Sequence, residues 1–212
     1  MIPSFPVYLF DVDGTLIHSE PDINGAIQEV LRVNGRTDVS AEFLRGYIGR
    51  HLLEVFLDVG FERGAIDQLI AHYRVVYLGR KHASTSVYPG VAEMLGALDG
   101  KKSTATTKGT PTTRAILEQF GLLAHFDHVQ GTDGFPAKPE PDVILTALAA
   151  LGASPKDCLF VGDSAADMEA GERAGVQRCA VRWGYGDVAE MARWKPEYWI
   201  DSPGDLLRRA GQ

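Results

Sequence analysis

Two acidic clusters, far apart in the chain, have the residue types and spacing to do chemistry. Asp11 and Asp13, in Asp11-Val12-Asp13-Gly14-Thr15, lie two residues apart and would share one face of an extended strand end. Like charges that close repel, so the pair is costly unless a cation sits between them. Gly14 lets the backbone turn tightly just after the pair. Much later, Gly162-Asp163-Ser164-Ala165-Ala166-Asp167 carries a second pair. If a helix begins near Ser164, Asp167 returns to the face of Asp163. Asp163 alone would read as a helix cap, but a second acid cluster at another strand end favours one shared site. A hard divalent cation such as Mg²⁺ takes one or two carboxylates and completes its shell with water and phosphate oxygens.

Two more segments could complete such a site. Lys138 precedes Pro139-Glu140-Pro141, whose prolines pin the backbone at a helix start. Four carboxylates need a counter-charge, and Lys138 would supply it; on spacing alone a solvated surface lysine is an equal alternative. Thr106, Thr107, Lys108, Gly109 and Thr110 fall between an expected strand and helix, where hydroxyls and backbone N–H groups suit a phosphate. The histidines show no His-Glu-x-x-His spacing for zinc. There is no Gly-x-Ser-x-Gly elbow and no Walker-type phosphate loop.

These residues need elements to position them. Val7-Tyr8-Leu9-Phe10 is an apolar run ending in Asp11, the pattern of a buried parallel strand. Further strands are expected over 103–106, 127–130, 158–161 and 177–181. Helical patterns over 91–98, 111–120, 141–151 and 167–174 separate them. The alternation predicts an α/β fold, a doubly wound, Rossmann-like parallel sheet. In such sheets the ligand site lies beyond the carboxyl ends of the strands, where the acids fall. Residues 17–86 show no convincing strand. They show helical periodicity at Ile23, Ile27, Val30 and Leu31, then Leu52, Val55 and Phe56, then Ile66, Leu69, Ile70 and Tyr73. They are expected to form a small helical domain inserted after the first strand. The core is then 1–16 with 87–212, re-entered at Val87-Tyr88-Pro89-Gly90.

Composition sets outer bounds. The chain has 212 residues, 45% of them hydrophobic, enough to bury a sizeable core. Its net charge of -7 argues against nucleic-acid or membrane-surface binding, which relies on excess Lys and Arg. An anionic ligand must therefore be drawn by local features. The N-terminus lacks the basic start of a signal peptide, and no apolar run reaches membrane-spanning length. Cys158 and Cys179 sit in apolar runs and read as buried free thiols, which suits a cytoplasmic protein. Nothing in the sequence specifies an oligomeric state.

Four segments, in order, resemble the motifs of the haloacid dehalogenase-like hydrolases, in the phosphoglycolate-phosphatase-like branch. They are Asp11-Val12-Asp13-Gly14-Thr15, Ala105-Thr106-Thr107-Lys108, Lys138-Pro139-Glu140-Pro141-Asp142, and Gly162-Asp163-Ser164 with Asp167. Leu16 to Asp22 is similar to that branch's entry to a helical cap domain. The resemblance implies a phosphatase acting on a small phosphorylated metabolite, phosphoglycolate being the first expectation. Asp11 would attack phosphorus and carry the aspartyl-phosphate. Asp13 would act as acid and then base. Thr106 would bind phosphoryl oxygens, and Lys138 would steady Asp11 and the phosphate. Mg²⁺ would be held by the Asp11 and Asp163 side chains and the Asp13 carbonyl, with Asp167 supporting that shell. Thr107 and Lys108 would contact substrate.

Sugar phosphomutases of the β-phosphoglucomutase type share all four motifs and are the alternative. Dehalogenases need neither an acid at position 13 nor Mg²⁺, and a silent binding protein would have lost a catalytic group; both fit less well. In the resembling branch, the part of the cap around Gly49-Arg50-His51 points at the site. Arg50 would then grip a substrate carboxylate or second phosphate, the alternative being an ordinary surface arginine.

Overall fold

The structure, a computed structural model, describes residues 2–207. Strand β1 (Val7–Phe10) is buried throughout. Alternate side chains leave opposite faces of a strand. Tyr8 and Phe10 therefore enter one core with Val91, Leu95, Ile116 and Leu117, while Val7 and Leu9 enter another with Ile144, Ala147 and Ala170. A strand apolar on both faces needs helices on both sides, the setting of a parallel sheet. Helices α5 (Val91–Ala97) and α6 (Thr110–Gln119) supply the first layer; α7 (Asp142–Leu151) and α8 (Ala165–Ala174) supply the second.

The sheet has the order β4-β1-β5-β6-β7, with β4 at Lys101–Thr104, β5 at Cys158–Gly162, β6 at Gln177–Val181 and β7 at Tyr198–Ile200, every pairing parallel. From β1 the chain builds outward to β4 on one side and to β5 on the other. The carboxyl end of β1 is thus a topological switch point, where a crevice opens.

The fold class is the expected one, with local differences. Residues 127–130 are not a strand; only an isolated bridge joins Ser103 to His128. The Asp127 and His128 N–H groups donate to the Lys102 carbonyl, and side chains make the remaining bonds: the Thr104 hydroxyl donates to the Gln130 carbonyl and accepts from its N–H, and Asp127 accepts from the Lys102 N–H. β7 and the short α9 (Val188–Arg193) were not expected, being too brief to show a period.

Between the first and fourth strands lie α1 (Glu20–Val33), α2 (Ala41–Arg45), α3 (Leu52–Asp58) and α4 (Ile66–Gly79). They share an apolar cluster of their own that includes Ile23, Ile27, Leu44, Phe56 and Leu69. Two short antiparallel strands, β2 (Ile17–His18) and β3 (Ser86–Val87), pair where the chain leaves the sheet and returns. No strand was expected between residues 17 and 86, because two residues cannot display alternation.

Candidate active site

β1 and β5 run in register, Phe10 beside Val161, and the Asp11 N–H donates to the Val161 carbonyl at 2.9 Å. The two strands therefore deliver Asp11 and Asp163 side by side. Asp167 arrives from the first turn of α8. One oxygen from each of Asp11, Asp163 and Asp167 lies within 4.8 Å of the others, and all three residues are buried.

Each acid is fixed by named partners. Lys138 Nζ donates to Asp11 Oδ1 at 2.7 Å, to Asp167 Oδ1 at 2.5 Å and to the Ala105 carbonyl at 3.1 Å. The helix cap suggested for Asp163 belongs instead to Ser164. The Ser164 N–H and hydroxyl donate to Asp167 Oδ2 at 3.0 and 2.6 Å, and its hydroxyl accepts from the Asp167 N–H, a capping box. Asp163 accepts from the Thr15 hydroxyl at 3.1 Å and from the Tyr185 N–H at 2.8 Å. Gly14 sits at φ +89°, and a Cβ there would come within 2.2 Å of Asp163 Oδ2. Glycine thus serves both the turn and the close approach.

The electrostatics of the cluster ask for a cation. Burial pushes the Asp11 carboxyl up to about 7; Lys138 opposes this, while Asp167 and Asp13 add to it. Burial also raises Asp163 well above the usual range, reinforced by Asp11 and Asp167. Lys138 would be lowered by burial, yet Asp11 and Asp167 outweigh that and keep it charged. One ammonium among three buried carboxylates leaves excess negative charge, and carboxylate oxygens at this spacing fit a hard divalent cation. In the turn after β1, Ile17 N–H donates to Val12 O and Gly14 N–H to Ile17 O, so neither bond uses the Asp13 carbonyl.

The Asp13 side chain faces elsewhere. It accepts from the Ser19 hydroxyl at 2.6 Å and pairs with Lys108 Nζ at 3.2 Å. It lines a cleft of about 550 Å³ between the strand ends and the helical insertion, with Thr107 and Lys108 on one side and Ile48, Arg50 and Tyr77 on the other. Burial would lower Lys108, but Asp13, then Tyr77 and Tyr73, hold it well above the ordinary lysine value. Its Nζ lies 3.1 Å from the Tyr77 hydroxyl and 4.5 Å from the centre of that ring. Thr106 is buried, and its hydroxyl accepts from the Lys108 N–H at 3.4 Å. Thr107 donates to the Gly49 carbonyl at 3.4 Å, bridging to the insertion. The Arg50 side chain is 46% exposed, 3.9 Å from Glu54.

Sequence reasoning missed Thr15, Ser19, Tyr77 and Tyr185. Gly184-Tyr185-Gly186, following β6, was the available signal: an aromatic between glycines at another strand end.

A doubly wound core with buried carboxylates at its switch point and a helical insertion after the first strand defines a class of α/β enzyme. Within that class, the chain belongs to the haloacid dehalogenase-like hydrolase family, whose model matches residues 8–181. It is 34% identical over 209 residues to a phosphoglycolate phosphatase of Aquifex aeolicus, covering 95% of both chains. It is 33% identical to phosphoglycolate phosphatase 1 of Pseudomonas aeruginosa, covering 96% of this chain and 79% of that one. A haloacid dehalogenase-like hydrolase structure from Streptococcus pneumoniae superposes with a TM-score of 0.89 at 25% identity, covering 96% of this chain and 97% of that one.

Proposed function

We propose that this chain is a Mg²⁺-dependent phosphatase that hydrolyses phosphoglycolate through an aspartyl-phosphate on Asp11. It is a hydrolase of phosphoric monoesters. The observation that carries the mechanism is the buried Asp11–Lys138–Asp167–Asp163 cluster beside an Asp13 that faces the cleft. The relatives' substrate supports the choice of ester.

In this reading an Asp11 oxygen attacks phosphorus, the bond to the leaving oxygen breaks, and Asp13 gives that oxygen its proton. Water then attacks the aspartyl-phosphate, Asp13 takes the water's proton, and the phosphorus–Asp11 bond breaks to release phosphate. Lys138 orients Asp11 and offsets phosphoryl charge, and Thr106 donates to a phosphoryl oxygen. Thr107 and Lys108 face the substrate, Lys108 adding a fixed positive charge beside Asp13. Asp11, Asp163 and the Asp13 carbonyl would hold Mg²⁺, with Asp167 supporting its shell, and the bound ion would screen the carboxylate nucleophile from the phosphate dianion.

Residues 17–86 act as a cap over a core of 1–16 and 87–212, a reading supported by the separate apolar cluster and by the paired strands at its base. Arg50, on the cleft wall, meets the substrate carboxylate. A cytoplasmic site of action is supported by two buried free thiols, Cys158 and Cys179. Among the described residues no helix is long and apolar enough to cross a membrane.

The test is phosphate release from a panel of small esters, with and without Mg²⁺, together with trapping of the acyl-phosphate. Mg²⁺-dependent release, fastest with phosphoglycolate, is expected. Transfer between two hydroxyls of a sugar bisphosphate without net release would replace this reading with a mutase.

A further inference from the structure

A helix leaves its first N–H groups without partners inside the helix, and a serine just before the first turn ordinarily accepts from them. Ser19 holds that place before α1 but makes no such side-chain bond. Its backbone, at φ −110° and ψ −3°, is not in the extended conformation that aims a hydroxyl at its own helix, and its hydroxyl goes to Asp13 Oδ1 at 2.6 Å. The helix end is served by a residue 166 positions away in sequence. The Tyr185 hydroxyl accepts from the Ser19 N–H at 2.8 Å and the Glu20 N–H at 3.0 Å, and lies 3.0 Å from His18 Nδ1. A phenol has two lone pairs and one proton. Two N–H groups fill the lone pairs, and the hydroxyl proton is left for the two acceptors beside it, His18 Nδ1 and the Tyr88 hydroxyl.

The other end of Tyr185 is fixed as firmly. Its N–H donates to Asp163 Oδ2 at 2.8 Å. A Cβ at Gly184 would come within 2.2 Å of the Asp163 Cβ, so a bare backbone is required for the loop to lie against that acid. The ring stands 5.8 Å from His18, and His18 stands 5.9 Å from Tyr88, so the phenol is set among aromatics at the base of the insertion.

We propose that Tyr185 is a positioning residue for Asp13: its phenol holds the Ser19 and Glu20 N–H groups at the start of α1 and so sets the Ser19 hydroxyl against the Asp13 carboxylate. One side chain thereby ties the Asp163 loop to the base of the helical insertion. Without the phenol oxygen, the Ser19 and Glu20 N–H groups lose their acceptor, the backbone of Ser19 is no longer held, and the grip on Asp13 loosens. The consequence for turnover rests on Asp13 being the acid and base of the proposed phosphatase.

The experiment compares wild type, Tyr185→Phe, Ser19→Ala and the double variant. Phenylalanine keeps the ring and the N–H bond to Asp163 and removes only the oxygen. Hydrogen exchange at the Ser19 and Glu20 amides, read on the protein without substrate, should speed up about tenfold or more in Tyr185→Phe, as local opening at an unsatisfied helix end predicts. The ratio kcat/KM covers only the steps up to the aspartyl-phosphate, where Asp13 protonates the leaving group. Tyr185→Phe should lower it about tenfold for phosphoglycolate, a part of the roughly 10²–10⁴-fold that general acid catalysis contributes. The loss for p-nitrophenyl phosphate, whose phenolate leaves without a proton, should be several-fold smaller. The double variant should lose no more than Ser19→Ala alone. Unchanged amide exchange overturns the assignment of the phenol to the helix end. Equal losses on both esters, or losses that multiply in the double variant, overturn the link to Asp13. If wild type turns over neither ester, the phosphatase reading fails, and the exchange result alone decides the helix-end assignment.

Discussion

At the strand ends every acid has at least one close partner: Lys138 for Asp11, Thr15 and Tyr185 for Asp163, Lys138 and Ser164 for Asp167, Ser19 and Lys108 for Asp13. Across the cleft, the helical insertion presents Arg50 half in solvent, with Glu54 3.9 Å away and the Tyr47 ring 5.7 Å away. One wall is preorganised and the other is adjustable. Phosphoryl transfer gains most from charges fixed before the substrate arrives, whereas recognition of a leaving group tolerates a side chain that settles on binding. Changes to the first wall should abolish the reaction or unsettle the fold. Changes to the second should alter only which ester is used.

The sharpest way to break that contrast is Asp11→Asn. An amide cannot form the acyl-phosphate, so turnover should fall by at least about 10³-fold, the scale seen when a nucleophile is removed. Near-normal turnover by a folded Asp11→Asn protein would sink the mechanism. Metal removal comes next. EDTA should eliminate activity, Mg²⁺ should restore it, and Ca²⁺ should inhibit because its looser coordination misplaces nucleophile and phosphate. Added at about 100 times its Kd, Mg²⁺ should also stabilise the folded protein by about 2.7 kcal/mol, read from thermal or urea unfolding. Full activity in metal-free buffer would refute this.

Lys138→Met tests the fixed wall through stability. Removing one partner of a buried ionic cluster costs about 3–5 kcal/mol, and Mg²⁺ should recover part of that loss because it too offsets the carboxylates. A urea midpoint equal to wild type would show that the lysine is not needed to balance Asp11 and Asp167. The smallest effect belongs to the adjustable wall. Arg50→Ala should change stability by no more than about 0.5 kcal/mol, as an exposed substitution does. It should raise KM for phosphoglycolate about tenfold or more, the loss of a charged hydrogen bond, and leave a simple aryl phosphate nearly untouched. Equal losses on both substrates would point to a general defect in closing the cleft, and no loss would return Arg50 to the solvated surface.

The legible part of this protein is the part written in short-range patterns. Val7–Phe10 is apolar at every position, so it had to be a strand covered on both faces, and the acid that follows had to emerge at its carboxyl end. Gln177–Val181 was readable for the same reason. Ile23, Ile27, Val30 and Leu31 repeat at the helical period and do pack together. By contrast, the expected strand at 127–130 stops after one carbonyl, that of Lys102, and the Thr104 and Asp127 side chains take the bonds beside it. No local pattern reports a hydroxyl 26 residues away.

By itself the sequence determined the α/β alternation, the helical periodicity of the stretch after the first strand, and the acids that follow two apolar runs. Apolar period and polar breaks are local properties, and burial makes them obligatory. Only the tertiary structure decided which oxygen meets which donor. It gave Lys138 to both Asp11 and Asp167, gave the α8 cap to Ser164 rather than Asp163, and turned the Asp13 side chain toward Ser19 and Lys108. It also brought Tyr185 to the start of α1. A hydrogen bond depends on position and angle to within tenths of an ångström. Those are set only when sheet, helices and loops close on one another, bringing together residues more than a hundred positions apart.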